Sequence, residues 1–307
     1  MPGPVPVKAD VPVPAARSLV RALVTSLRPS QWVKNAALLA APIFARRITH
    51  PDSLAPMLLG ILAFCVLASA VYLANDIVDR EADRLHPEKR RRPIAAGDLP
   101  VSVAAASSAL LVLTGLALSA VVGARFLVVA LAYLGLQVAY TAVLKNLVVV
   151  DVFAIASGFV LRVVAGAEAI AVPVSNWLYL CTLLLALFLA LAKRRAELLL
   201  LKGDATRHRR ILAEYTTPMV DQLITVLSSC TVLAYSFYTL SPETIQKFGT
   251  DRLKFTVPFV LFGLFRYTYL VHKHGGGEQP EQVLLFDRPM QLNLVAYLAT
   301  VAWAIYR

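Results

Sequence analysis

Asn75–Gly97 reads N-D-I-V-D-R-E-A-D-R-L-H-P-E-K-R-R-R-P-I-A-A-G, and it follows directly on about twenty apolar residues. Four oxygen-bearing side chains, Asn75, Asp76, Asp79 and Asp83, open the stretch, and the cations Lys89, Arg90, Arg91 and Arg92 close it. An apolar run of that length reads as a membrane helix. Carboxylates at its mouth, with cations beside them, suit a metal-bound phosphate or diphosphate. The spacing i, i+4, i+8 stacks Asn75, Asp79 and Asp83 along one helical face. Like charges in a row repel, and a hard cation such as Mg²⁺ removes that objection. Asp76 points about 100° away and is free for a second ion, a substrate hydroxyl or a nearby Arg.

Working outward, the rest of the chain repeats the membrane signal. Its 307 residues are 58% hydrophobic and only 16% charged, with mean hydropathy +0.66. That composition excludes an ordinary soluble domain. Nine apolar runs of about 18–25 residues predict an all-α bundle of nine spans, near 31–48, 54–75, 100–121, 124–143, 147–168, 173–192, 219–240, 254–272 and 289–306. The net charge of +11 then reads as cytoplasmic loops rather than nucleic-acid binding. With the N-terminus inside, most cations fall in inner loops, against Arg46, Arg47, Arg125, Lys247, Arg252, Lys254 and Arg307 outside. Residues 1–27 read as a flexible cytoplasmic tail without a signal peptide, and 28–307 as one catalytic domain. The 2–3 and 6–7 loops are expected to form a cytoplasmic cap. Cys65, Cys181 and Cys230 lie in apolar runs without metal-ligand spacing.

N-D-x-x-D-x-x-x-D, at the cytoplasmic end of the second span, resembles the first aspartate-rich motif of the UbiA superfamily of intramembrane prenyltransferases. The nine-span plan is similar too, so the resemblance covers nearly the whole chain. It implies Mg²⁺ on Asn75, Asp79 and Asp83, with Asp76, Asp79 and Asp83 as the catalytic carboxylates.

The superfamily's second acidic motif is missing. Between spans six and seven stands K-R-R-A-E-L, Lys193 to Leu198. An acidic cluster opposite a basic one suits a Mg-diphosphate donor and a second, metal-free anion; Lys193, Arg194 and Arg195 would hold a phosphate. Further candidates for substrate contact are Gln31 and Lys34 in R-P-S-Q-W-V-K-N, Lys89 and Arg92 in the basic run, and Tyr140 and Lys145 in Y-T-A-V-L-K. Asp151 and Arg162 share one face of the fifth span. Arg162 lies about 16 Å beyond Asp151, either pairing with Glu168 or facing a central cavity.

These segments, with H-P-E-K-R-R-R-P-I-A-A-G and F-D-R-P-M-Q-L-N, resemble one branch of the superfamily. The resemblance implies a donor, phosphoribosyl diphosphate with Mg²⁺, and an acceptor, a polyprenyl (decaprenyl) phosphate, whose product serves cell-wall arabinan. No His is placed to act as base, and an anionic acceptor needs none. A prenyltransferase joining a prenyl diphosphate to an aromatic precursor is the nearest rival, but it needs the second acidic motif. A transporter or flippase is a further alternative; no internal repeat supports it.

Overall fold

A computed structural model of the chain describes residues 18–86, 88–200, 210–273, 283 and 286–306. The described residues are mostly helical, without strands. In chain order the helices are α1 (Leu19–Leu27), a 3₁₀ helix (Pro29–Leu39), α2 (Ala40–Phe44), α3 (Pro51–Val78), α4 (Arg80–Leu85), α5 (Pro93–Ala96), α6 (Val101–Val122), α7 (Ala124–Ala142), α8 (Val150–Ala169) and α9 (Asn176–Leu200). They continue as α10 (Thr217–Leu240), α11 (Pro242–Phe248), α12 (Val257–Lys273) and α13 (Arg288–Tyr306).

Six of these, α3, α6, α7, α8, α9 and α10, are long and apolar enough to cross a membrane. This marks an integral membrane protein, since lipid admits only elements that satisfy their own backbone. Among the described residues six of the nine expected runs meet this measure, and the reasons the other three do not are local. The 31–48 run winds mostly as 3₁₀ helix before five residues of α-helix. The 254–272 run begins in a 3₁₀ turn (Arg252–Thr256) and leaves an α-helix of 17 residues. The last run carries Gln291 and Asn293 in its first turns.

The innermost helices are α3 and α8, whereas α6 and α7 turn most of their surface outward. Small residues on α3 let its neighbours approach closely: Ala63, Ala68, Ser69 and Ala70 are buried, and Ser108 on α6 donates to the Ala70 carbonyl at 2.9 Å. Where α8 crosses the 3₁₀ helix, backbone meets backbone. A Cβ on Gly166 would stand 1.9 Å from the Leu38 carbonyl oxygen, so only glycine fits there.

The flexible tail expected through residue 27 includes residues that form α1. Ser18 caps that helix through the Arg21 amide, and Ala22 is buried with Leu73, Ile94 and Leu99. Residues 1–17 of that tail, and 201–209 of the 6–7 loop, lie outside the described residues.

Candidate active site

The acidic motif straddles a helix end. α3 stops at Val78 and α4 begins at Arg80, with Asp79 as the joint. The Asp79 amide still donates to Asn75 O and the Asp83 amide to Asp79 O, each at 2.8 Å, so the helical path continues. On that path Asp79 is rotated about 40° from Asn75, Asp83 about 80° and Asp76 about 100°. Asp83 therefore falls beside Asp76, and the quartet divides into two pairs rather than a three-residue face plus an outlier.

Asn75 and Asp79 turn towards the end of α7. Thr141 donates to Asn75 Oδ1 at 2.6 Å, and Lys145 Nζ lies 2.8 Å from Asp79 Oδ1. Asp76 and Asp83 turn the other way and share one arginine. Arg92 is 3.0 Å from Asp76 Oδ1 and 2.6 Å from Asp83 Oδ2. Arg28 adds a second contact to Asp76 Oδ1 at 2.5 Å, from a left-handed backbone with φ 52° and with its guanidinium over the Tyr72 ring. Asp76 is only 2% exposed, yet its Oδ2 is buried without a hydrogen-bond partner. Burial lifts the Asp83 carboxyl above its ordinary value, with Arg92 pulling it back.

Arg28, Arg92 and Lys145 thus meet Asp76, Asp79 and Asp83, charge for charge. Among the described residues no three His, Cys, Asp or Glu side chains converge on a metal position, because basic side chains stand between the acids. The donor set still fits a hard divalent cation: carboxylate and amide oxygens, one of them buried without a partner.

The two arginines of the K-R-R segment end up committed to other protein groups. Arg194 is 1% exposed. Its Nε donates to Asp151 Oδ2 at 2.6 Å, its Nη1 to Glu197 and its Nη2 to the Tyr140 hydroxyl at 3.2 Å. Arg195 pairs with Asp221 at 2.6 Å and donates to the Val271 carbonyl. Asp151, fully buried, is bound through both oxygens, to Arg194 and to the Tyr215 hydroxyl at 2.7 Å. Lys193 stays half-buried. Lys89, from the 3₁₀ turn Lys89–Arg91, lies in the field of Glu197, Asp83, Arg92 and Lys193; burial lowers its pKa and Glu197 opposes this. Glu197 and Lys89 therefore bring the basic segment of α9 within electrostatic reach of the acidic motif.

Gln31 and Lys34 contact one another on the 3₁₀ helix. Arg162, 5% exposed, bonds Asn35 Oδ1 at 2.9 Å, Gly158 O at 3.0 Å and the Tyr133 hydroxyl at 3.0 Å, rather than Glu168. Beyond the polar cluster, an apolar cavity of about 370 Å³ opens among α9, α10, α12 and α13, lined by Phe188, Tyr235, Tyr267 and Tyr297.

Sequence reasoning passed over Thr141, Arg28, Glu197 and Tyr215. The first three had readable signals: Thr141 is four residues before Lys145, and Arg28 and Glu197 sit inside segments singled out for other residues. Tyr215 had none.

An all-helical membrane bundle with this acidic joint defines an intramembrane transferase fold, and residues 36–295 match the UbiA prenyltransferase family. The chain belongs to that family. It is 35% identical to the decaprenyl-phosphate phosphoribosyltransferase of Mycobacterium tuberculosis over 301 residues, covering 96% of this chain and 98% of the relative. The enzyme of the same name from Mycolicibacterium smegmatis is 34% identical over 299 residues, covering 94% of each chain. Among solved structures, a UbiA homologue from Archaeoglobus fulgidus bound to GPP and Mg²⁺ aligns with TM-score 0.72 and 22% identity, over 93% of this chain and all of the other.

Proposed function

We propose that the chain transfers 5-phosphoribose from phosphoribosyl diphosphate to decaprenyl phosphate, releasing diphosphate and giving decaprenylphosphoryl 5-phosphoribose for cell-wall arabinan. The observation that carries this is the similarity to decaprenyl-phosphate phosphoribosyltransferases across almost the whole length of both chains. The residues agree with it. One acidic cluster stands near a basic α9 segment, where two acidic clusters would suit a prenyl diphosphate.

In this reading nine spans cross the membrane, with the N-terminus cytoplasmic, the C-terminus outside and residues 28–307 forming one domain. The 2–3 and 6–7 connections cap the site on the cytoplasmic side. Asn75, Asp79, Asp83 and the orphaned Asp76 Oδ2, drawn from both pairs, would supply the oxygens that hold Mg²⁺. When bound, the ion supplies charge neutralisation for the departing diphosphate. Arg92 and Lys145 then exchange carboxylates for phosphate oxygens, so the site stays near neutrality as the donor enters. The C1–O bond to diphosphate breaks with its electron pair on the diphosphate, while an oxygen of the lipid phosphate bonds to C1. Asp76 stabilises positive character at the ribose. Lys89 and Lys193, with Gln31 and Lys34, orient the two anions, and Tyr140, Asp151, Arg194 and Arg195 set the floor beneath them. Arg162 keeps the deeper wall polar, and the apolar cavity accepts part of the prenyl chain. Positioning supplies most of the rate.

Purified protein incubated with labelled phosphoribosyl diphosphate and decaprenyl phosphate should yield a labelled lipid only when Mg²⁺ is present. Label transfer from a prenyl diphosphate to an aromatic acid instead would overturn the proposal.

A further inference from the structure

Tyr215 lies on the connection into α10, outside every segment that the motifs single out. It is 3% exposed and packs in the core formed by α9, α10 and α12. Its hydroxyl makes two contacts of opposite kind. It accepts from the Val149 amide at 2.7 Å and donates to Asp151 Oδ1 at 2.7 Å. Only a group that is donor and acceptor at once can close both.

The backbone it grips is unusual. Val149 precedes α8 with φ 68° and ψ −42°, a conformation that a β-branched residue rarely adopts. Strain of this kind persists only where the surroundings over-determine it, and the Tyr215 hydroxyl on the Val149 amide is such a restraint. Burial and the Asp151 bond hold the phenol up at about 12, so it remains a donor across the physiological range.

From Asp151 the chain of contacts runs on. Its second oxygen takes Arg194 Nε, Arg194 reaches Glu197 and Tyr140, and Glu197 acts on Lys89 beside Asp83. We infer that Tyr215 is a positioning residue: it clamps the start of α8 and, through Asp151, fixes the Arg194–Glu197 side of the site. The kinetic part of this inference rests on the function proposed above, whereas the clamp itself does not.

The test uses full-length protein in lipid nanodiscs, as wild type, Tyr215→Phe, Asp151→Asn and the double variant. Hydrogen exchange followed by mass spectrometry reads the clamp without reference to activity. Tyr215→Phe should speed exchange in peptides covering 147–153 and 192–198; protection equal to wild type overturns the clamp. Steady-state kinetics with phosphoribosyl diphosphate and decaprenyl phosphate read the positioning. Tyr215→Phe should raise KM for one of the two anions by about tenfold while kcat stays within about twofold, and the change should vanish in the Asp151→Asn background. An undiminished effect in that background overturns the route through Asp151. A wild type that forms no labelled lipid, with faster exchange in Tyr215→Phe, sinks the proposed function and leaves the clamp standing.

Discussion

Asp76 and Asp79 are three residues apart and do different work, because one is sealed and the other is half open. Asp76 is 2% exposed and holds two guanidinium groups. Asp76→Asn leaves Arg28 short of a charged acceptor and Arg92 with Asp83 alone, so it should destabilise the fold by about 1–3 kcal/mol, read as a lower Tm in detergent. Asp79 is 39% exposed with one lysine partner, and a pair that open contributes about 1 kcal/mol or less. Asp79→Asn should barely move Tm while cutting Mg²⁺-dependent product formation by about 10²-fold or more. Equal Tm losses in both variants would refute the division. The motif itself was plain in the sequence, but its partition was not. An i, i+8 relation drifts by about 80° around a helix and an i, i+7 relation by only about 20°, so Asp83 joins Asp76. Which cation enters the gap depends on Arg28 and Arg92, and their approach is a tertiary event that spacing does not encode. The same holds for Arg194: its charge was legible, whereas its burial on Asp151, Glu197 and Tyr140 was not.

Among the elements, α8 and the 3₁₀ helix meet backbone to backbone at Gly166. Gly166→Ala must push the Leu38 backbone aside, which overpacking puts at about 1–3 kcal/mol. Gly115→Ala on α6 meets the Leu67 side chain, at 2.5 Å from Cδ2, and a side chain yields more readily than a carbonyl. Thermal unfolding should therefore rank Gly166→Ala below Gly115→Ala; the reverse order would show that the crossing relaxes freely. Apolar runs announced the long helices well, since length and hydropathy alone mark a span. They were silent on the winding of 31–48, because 3₁₀ and α segments share the same apolar content and differ in hydrogen bonds. Ser69 illustrates what fixes that segment: it accepts from the Trp32 indole and donates to the Leu27 carbonyl, contacts from another helix.

For the whole molecule, the charge distribution predicts a sidedness that labelling can read. Asp251, exposed between α11 and α12, belongs outside, and Arg90, exposed in the turn after α4, belongs inside. In intact cells a membrane-impermeant thiol reagent should modify Asp251→Cys and should reach Arg90→Cys only after permeabilisation. The opposite pattern would invert the bundle and remove the acidic motif from the compartment that holds soluble sugar phosphates.

The 3₁₀ helix Pro29–Leu39 is anchored at both ends. Arg28, immediately before it, grips Asp76, while Asn35 and the Leu38 backbone are seated on α8. Eleven residues wound this way span about 22 Å, and as α-helix they would span about 16 Å. The segment is therefore a strut whose pitch sets its length. A one-residue deletion would shorten it and turn Arg28 through about 120°, swinging the guanidinium off its carboxylate without altering a single residue of the acidic motif.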